Sequence, residues 1–277
     1  MRRFLTLFSL LLLLPGLCAC GAPARAAAPL TVTFLDAGKA DAIFLKSGGG
    51  FLVIDTGERD DGYDLCRALR KQGASSVDVL IITHFDRDHV GGAATLCDQF
   101  PVGRVLLPDY EGDSAEYRDF TASMAQRGIV PERLRESVSF SFGSCDVLVE
   151  PPTDYAGAGE DDNDNNFSLI TTVCHGSLRL VFAGDAEKAR IREWLGGESA
   201  QACDFLKLPH HGVYNGALKD LLRRLDPRVA VICDSDKNPA EEKTLSLLEK
   251  HGAQVYETRN GTVTLLSDGR TLTVTQG

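Results

Sequence analysis

Thr83-His84-Phe85-Asp86-Arg87-Asp88-His89-Val90-Gly91-Gly92 places four potential metal ligands, His84, Asp86, Asp88 and His89, within six residues. The run before it, Val77-Asp78-Val79-Leu80-Ile81-Ile82, has the apolar composition of a buried strand. The run after it, Ala93-Ala94-Thr95-Leu96-Cys97, reads as the first turns of a helix. A strand that stops in His and Asp and turns on glycines into a helix delivers side chains to the carboxyl edge of a sheet, where open α/β sheets place their sites. Residues two apart in extended chain share a face, so His84, Asp86 and Asp88 are expected on one side. His89 then points elsewhere, and the stretch can feed two neighbouring metal positions. Asp and His also end strands as plain turn formers. Four of them at this spacing, between a buried strand and paired glycines, favour a metal cluster.

Two further strand ends offer ligands. Leu178 to Phe182 reads as a strand, and Ala183-Gly184-Asp185-Ala186 is expected to open a helix that runs to Leu195. Asp204-Phe205-Leu206-Lys207-Leu208 reads as a strand that ends at Pro209-His210-His211-Gly212. Upstream, strands are expected at 31–35, 42–45 and 51–54, with Asp36 and Asp41 in the first connection and Asp55-Thr56-Gly57 closing the third strand as a turn. Helices are expected at 63–72, 114–127, 218–225 and 241–250, and strands at 104–108, 137–142, 146–150, 168–174, 229–232, 254–256, 262–266 and 271–274. Each half begins with a strand meander and finishes with alternating strands and helices. The expectation is an α/β fold: a four-layer αββα sandwich made of two similar β/α halves, with no linker inside 30–277.

Composition narrows the class. The 277-residue chain carries a net charge of −10. Without Arg2 and Arg3 it has 27 basic against 39 acidic side chains, or −12. That acidity opposes a broad, sequence-independent grip on nucleic acid, although metal ions supply local positive charge. Arg2-Arg3, the apolar run 4–14 and the small residues after it make residues 1–20 an export signal. The run is short for a membrane span. Leu17-Cys18-Ala19-Cys20-Gly21 has the form of a lipobox, with Cys20 as the lipidated residue and 21–29 as a short tether. Cleavage after Ala26 or Ala28 is the competing reading. The protein is therefore expected on the outer face of the cytoplasmic membrane as a lipoprotein, or secreted. The six cysteines beyond the signal lie far apart in apolar runs and contain no CxxC pair, so buried free thiols are expected. The acidic stretch 160–166 alternates as calcium loops do, but lacks the spaced Gly and final Glu of an EF-hand.

These strand-end motifs resemble the metallo-β-lactamase fold across essentially 30–275. Phe34-Leu35-Asp36-Ala37-Gly38-Lys39-Ala40-Asp41-Ala42, Ile54-Asp55-Thr56-Gly57, the 83–89 run, Phe182-Ala183-Gly184-Asp185 and Leu206-Lys207-Leu208-Pro209-His210-His211-Gly212 are similar to the soluble hydrolase domain of the DNA-uptake competence protein ComEC. The resemblance implies two divalent metal ions, zinc or manganese. His84 and Asp86 would hold one and Asp88 and His89 the other. Asp185 would bridge them, and His210, or less readily His211, would complete the second site. Asp88 would either ligate or take a proton from the attacking water, making it the catalytic residue. Asp86 stands where the wider family has a second His, and that family's third His has no match. Asn165-Asn166-Phe167-Ser168 falls in its place, with His175 a poor substitute at a hairpin tip. Asp36, Asp41, Asn166, Ser168, Lys207 and His211 are candidates to support ligands or touch substrate; for Asp36 and Asp41 turn capping is the equal alternative.

The function implied is an exported metal-dependent hydrolase of phosphodiesters, DNA among them, that activates a metal-held water. The alternatives are a lactamase or lactonase of the same fold and a non-catalytic surface protein with a structural metal. The anchor on Cys20 implies a membrane partner; no protein partner is implied.

Overall fold

The computed structural model describes residues 28–156 and 164–277. The expected export signal, Cys20, most of the expected tether and residues 160–163 of the acidic stretch lie outside these. Among the described residues no helix is long and apolar enough to cross a membrane.

Apolar side chains on both faces of the central strands dictate two buried sheet surfaces. In β1 (Leu30–Phe34), β2 (Ala42–Ser47), β3 (Gly50–Thr56) and β4 (Val77–Ile81), the alternate residues Val32, Phe34, Ile43, Leu45, Leu52, Ile54, Val79 and Ile81 face a core between the sheets. Their neighbours Phe44, Val53 and Leu80 face a second core under the helices. β1 to β3 form an antiparallel meander, and β3, β4, β5 (Val102–Pro108) and β6 (Glu132–Leu134) run parallel. The crossovers are α1 (Asp61–Lys71), α2 (Arg87–Val90), α3 (Ala93–Gln99) and α4 (Ala115–Arg127). Ser114 caps α4 by accepting the Tyr117 amide.

The second half repeats the plan. β7 (Val138–Phe142), β8 (Cys145–Glu150), β9 (Ile170–His175) and β10 (Leu178–Phe182) are antiparallel. β10, β11 (Phe205–Lys207), β12 (Val229–Ile232) and β13 (Gln254–Glu257) are parallel, with α5 (Lys188–Leu195), α6 (Leu218–Leu225) and α7 (Glu242–His251) outside. The two sheets meet on Phe34, Phe182 and Phe205, whose ring centroids lie 5.5–6.1 Å apart. Helix, sheet, sheet, helix is the four-layer order expected from the strand and helix pattern.

Three details correct the sequence expectation. The last hairpin, β14 (Val263–Ser267) and β15 (Leu272–Gln276), returns to the first sheet, because β14 pairs antiparallel with β1. That pairing gives β1 a second neighbour, and the first sheet has eight strands against seven. α5 opens at Lys188, not at Ala183, because Gly184 is left-handed (φ 52°) and keeps 183–187 in a turn. β6 carries too little apolar pattern to be seen in sequence. Among the described residues the six cysteines are free thiols, five of them buried.

Gly92, at the start of α3, marks where α1 and the ligand stretch close on β3. A Cβ there would lie 2.4 Å from the Thr56 carbonyl oxygen and 2.7 Å from Gly62 Cα. Backbone on both sides cannot give way. Gly92→Ala is expected to cost about 1–3 kcal/mol by overpacking, read as a lower denaturation midpoint at unchanged m-value.

Candidate metal centre

The carboxyl ends of β3, β4, β10 and β11 converge at one edge of the sandwich, together with the β1–β2 connection. Residues 82–86 leave β4 in extended form, and α2 begins at Arg87, with the His89 and Val90 amides both bonding the Asp86 carbonyl. The alternation expected through Asp88 therefore stops at Asp86. His84 comes from extended chain, while Asp88 and His89 come from a helical turn. Both histidines are fully buried, whereas the Asp86 side chain is 46% exposed and that of Asp88 19%.

Asp185 sits in the turn after β10. Its amide donates to Ser168 Oγ at 3.2 Å, so Ser168 braces Asp185 from behind. After β11 the chain passes through two consecutive left-handed residues, His210 and His211, both at φ 50°. This turn sends the buried His211 ring inward. His210 lies outside the cluster, with Nδ1 3.2 Å from Glu187 Oε1. Of the two histidines, then, it is the less favoured one that the fold brings to the centre. Sequence spacing does not reveal the reason, a pair of left-handed residues that turns the rings apart.

One rule governs all three inward rings. His89 Nδ1 bonds Asp55 Oδ2 at 2.8 Å, and His211 Nδ1 donates to the Cys233 carbonyl at 2.8 Å. Thr83 Oγ1 donates to Asp55 Oδ2 at 2.7 Å and therefore accepts from His84 Nδ1 at 3.0 Å. In the neutral ring each Nδ1 keeps the proton, so the form of each ring that can bind a metal presents its Nε2 lone pair to the same space. Among the described residues none of these three Nε2 atoms has a hydrogen-bond partner. They face carboxylate oxygens without hydrogen-bond alignment: His84 to Asp86 Oδ2 at 3.5 Å, His89 to Asp185 Oδ2 at 3.3 Å, and His211 to Asp185 Oδ2 at 3.0 Å and Asp88 Oδ2 at 3.3 Å. Ligand atoms of His84, His89 and Asp185 lie within 4.8 Å of one another, as do those of Asp88, His89 and His211. Buried imidazoles with one nitrogen tied to an oxygen and the other bare are the arrangement divalent metals require. The donor set of imidazole and carboxylate suits zinc or manganese.

Asp55 is the residue that sequence reasoning missed. It is fully buried at φ 56°, and besides His89 and the Thr83 hydroxyl it accepts the Thr83 amide at 2.7 Å. Its position in Asp55-Thr56-Gly57 was the available signal, but a strand-ending Asp is also a common turn former. Asp55→Asn is expected to weaken metal binding about 10–100-fold, because the outer partner fixes the ring and its tautomer; a metal titration of the purified variant checks this. Asp41 is buried within 3.8 Å of both His89 Nδ1 and His211 Nδ1. Asp36 is exposed, and its amide bonds Thr262 Oγ1; it is not brought to the centre. Asn166 Oδ1 accepts the Arg190 amide at the start of α5. His175 lies at the other end of β9, bonded to Ser267 Oγ at 2.7 Å, and cannot reach the cluster.

Charge is concentrated here. Burial alone would neutralise Asp88 and Asp185, but His211 and His89 hold both carboxyls well below the usual range, with Lys207 adding to the effect on Asp185. Burial likewise opposes the His211 cation, yet Asp185 and Asp88 outweigh it and raise that ring to about 9. In the metal-free protein such a group stabilises the fold fully below its unfolded value near 6.5, and that contribution is lost as pH rises through about 9. The melting temperature of chelator-treated protein is therefore expected to fall between these limits, by the equivalent of roughly 3 kcal/mol. His211→Asn should flatten the fall.

Above the cluster opens a cavity of about 730 Å³ that includes Asp86, Asp88, Lys39 and Arg87 in its wall. Lys39 Nζ stands 3.5 Å from Asp88 Oδ2. Seven acidic residues line this cavity (Glu58, Asp60, Asp61, Asp86, Asp88, Asp113 and Asp164) against three basic ones (Lys39, Arg87 and Lys237).

The chain is 27% identical over 256 residues to ComE operon protein 3 of Bacillus subtilis (strain 168), covering 84% of this chain and 32% of that protein. It is 24% identical over 224 residues to Recombination protein 2 of Haemophilus influenzae, covering 79% and 26%. It thus spans about a third or less of the length of these relatives. Among solved structures, YhfI from Bacillus subtilis, described as a metallo-beta-lactamase fold protein, superposes with a TM-score of 0.55 at 11% identity, over 89% of this chain and all of that one. Igni18, a metallo hydrolase from Ignicoccus hospitalis, superposes with a TM-score of 0.54 at 14% identity, over 85% and 98%. At such identity these likenesses show the fold alone. The model of the Metallo-beta-lactamase superfamily matches residues 35–233, and the chain belongs to that superfamily.

Proposed function

We propose that the protein is an exported, two-metal phosphodiester hydrolase. The observation that carries the metal reading is the trio of buried, unpartnered Nε2 atoms on His84, His89 and His211 facing Asp86, Asp88 and Asp185. These six residues would hold the ions. Bound divalent metal would supply Lewis acidity and a water acidic enough to ionise near neutral pH. Asp88, in the cavity wall, is placed to orient the attacking water by accepting its proton in a hydrogen bond. Lys39 and Arg87, in the same wall, offer positive charge to the phosphate oxygens. His89 and His211 are kept in one tautomer by Asp55 and the Cys233 carbonyl, so the ring nitrogens need no rearrangement during turnover.

The phosphodiester class is supported by the competence and recombination relatives and by Asp86, a harder oxygen donor at the strand end. The acidic cavity wall favours a short diester over a long polyanion, which would meet like charge on entry. The N-terminal lipobox supports work outside the cytoplasm.

Bis(p-nitrophenyl) phosphate, single-stranded DNA and nitrocefin, each with manganese and with zinc, test the reading side by side. Metal-dependent cleavage of the diester, abolished by chelation, is the expected result. Cleavage of DNA as well would extend the substrate to nucleic acid. Nitrocefin turnover without diester cleavage would overturn the phosphodiester reading in favour of a lactamase.

A further inference from the structure

Lys207, the last residue of β11, is fully buried and touches the cluster. An ammonium removed from water costs several kcal/mol unless it is paired and hydrogen-bonded, so its partners show what it is held for. Nζ pairs closely with Asp41 Oδ2, donates to the Gly184 carbonyl at 3.0 Å, and approaches Asp185 Oδ1 at 3.4 Å. It therefore grips the 184–185 turn through backbone and side chain together. Asp41 is itself fixed: its amide bonds the Asp88 carbonyl, and its carbonyl accepts the Gly57 amide. The two histidines beside Asp41 have already committed their Nδ1 protons, to Asp55 and to the Cys233 carbonyl. Lys207 is then the charged partner left to Asp41.

The Asp185 carboxylate is split between two environments. Oδ1 faces Lys207, while Oδ2 faces His89 Nε2 at 3.3 Å and His211 Nε2 at 3.0 Å. We infer that the buried Lys207–Asp41 pair is a positioning device that reserves Oδ1 and commits Asp185 to the metal positions through Oδ2 alone. The inference rests on the metal-centre reading above. Lys207 thus acts through Asp185 and has no contact with the cavity where substrate would sit.

Manganese binding separates positioning from simple charge balance, because the two predict opposite signs. If Lys207 served only as a counter-charge, removing it would make the centre more negative and tighten cation binding. If it positions Asp185, its removal frees the carboxylate to rotate, and binding weakens about 10–100-fold, as for other outer partners of metal ligands. The experiment is a titration of chelator-treated protein with Mn²⁺ alone, followed by calorimetry and by the exchange-coupled EPR signal of a manganese pair. Wild type is compared with Lys207→Met and with the double variant Asp41→Asn/Lys207→Met, which strands no buried charge. Weaker binding with a lost or altered coupled signal, in folded protein, is the expected result. Unchanged or tighter binding in a folded variant would overturn the inference. Unfolding of both variants would assign the pair to the fold and overturn it too. Absence of manganese binding by the wild type would instead remove the metal-centre reading itself.

Discussion

Asp185→Ala is expected to lower metal-dependent diester hydrolysis on the order of a thousandfold or more while leaving the protein folded. Asp185 Oδ2 is the oxygen shared by the His89 and His211 Nε2 atoms, and among the described residues no other carboxylate approaches both rings so closely. Groups that act as one catalytic unit lose nearly all of its contribution when one member goes. The fold should survive because Lys207 keeps Asp41 and the Gly184 carbonyl, so no buried charge is stranded. Circular dichroism and melting temperature check the fold, and initial rates at saturating metal check the loss. A metal site serving stability alone would give the opposite pattern, with unfolding first and activity lost only as a consequence.

The second large effect separates two adjacent histidines. His211→Ala is expected to lose metal affinity and at least about a hundredfold in rate, since it removes a buried imidazole that faces Asp88 and Asp185. His210→Ala is expected to stay within about threefold of wild type. Its ring pairs with Glu187 and lies outside the cluster, so its removal leaves every metal-facing group in place. The measurement is metal titration and kcat/KM of both variants under the same conditions. Loss in His210→Ala with retention in His211→Ala would mean that the 210–212 turn places its rings the other way round.

The fold was legible because its elements announce themselves by period. The apolar runs of β4, β10 and β12 and the amphipathic helix 218–225 leave little choice of structure, and their order implies two β/α halves. The destination of the last hairpin was not legible, since Val263 to Ser267 carry nothing that prefers β1 over the nearer strands of their own half. At the site, side-chain chemistry was legible and backbone conformation was not. His84, Asp86, Asp88, His89 and Asp185 stand out as metal-binding types at strand ends, and the fold brings all five together. The choice between His210 and His211 depends on two left-handed residues, and Asp55 depends on a left-handed turn that aims its carboxylate at Thr83 and His89. Neither conformation has a glycine signature at the residue concerned. Lys207 stands out in sequence only as a candidate to support ligands or touch substrate, and the packing of the β1–β2 connection against β11 shows that its ammonium is shared with Asp41.

Metal stoichiometry tests the central claim most directly. Chelator-treated protein would be dialysed against a graded series of manganese or zinc, and bound metal counted per chain for wild type and for Asp185→Ala. Two equivalents in the wild type, with at least one lost in the variant, are the predicted result. No bound metal in the wild type, or an uptake that Asp185→Ala leaves unchanged, would contradict the account.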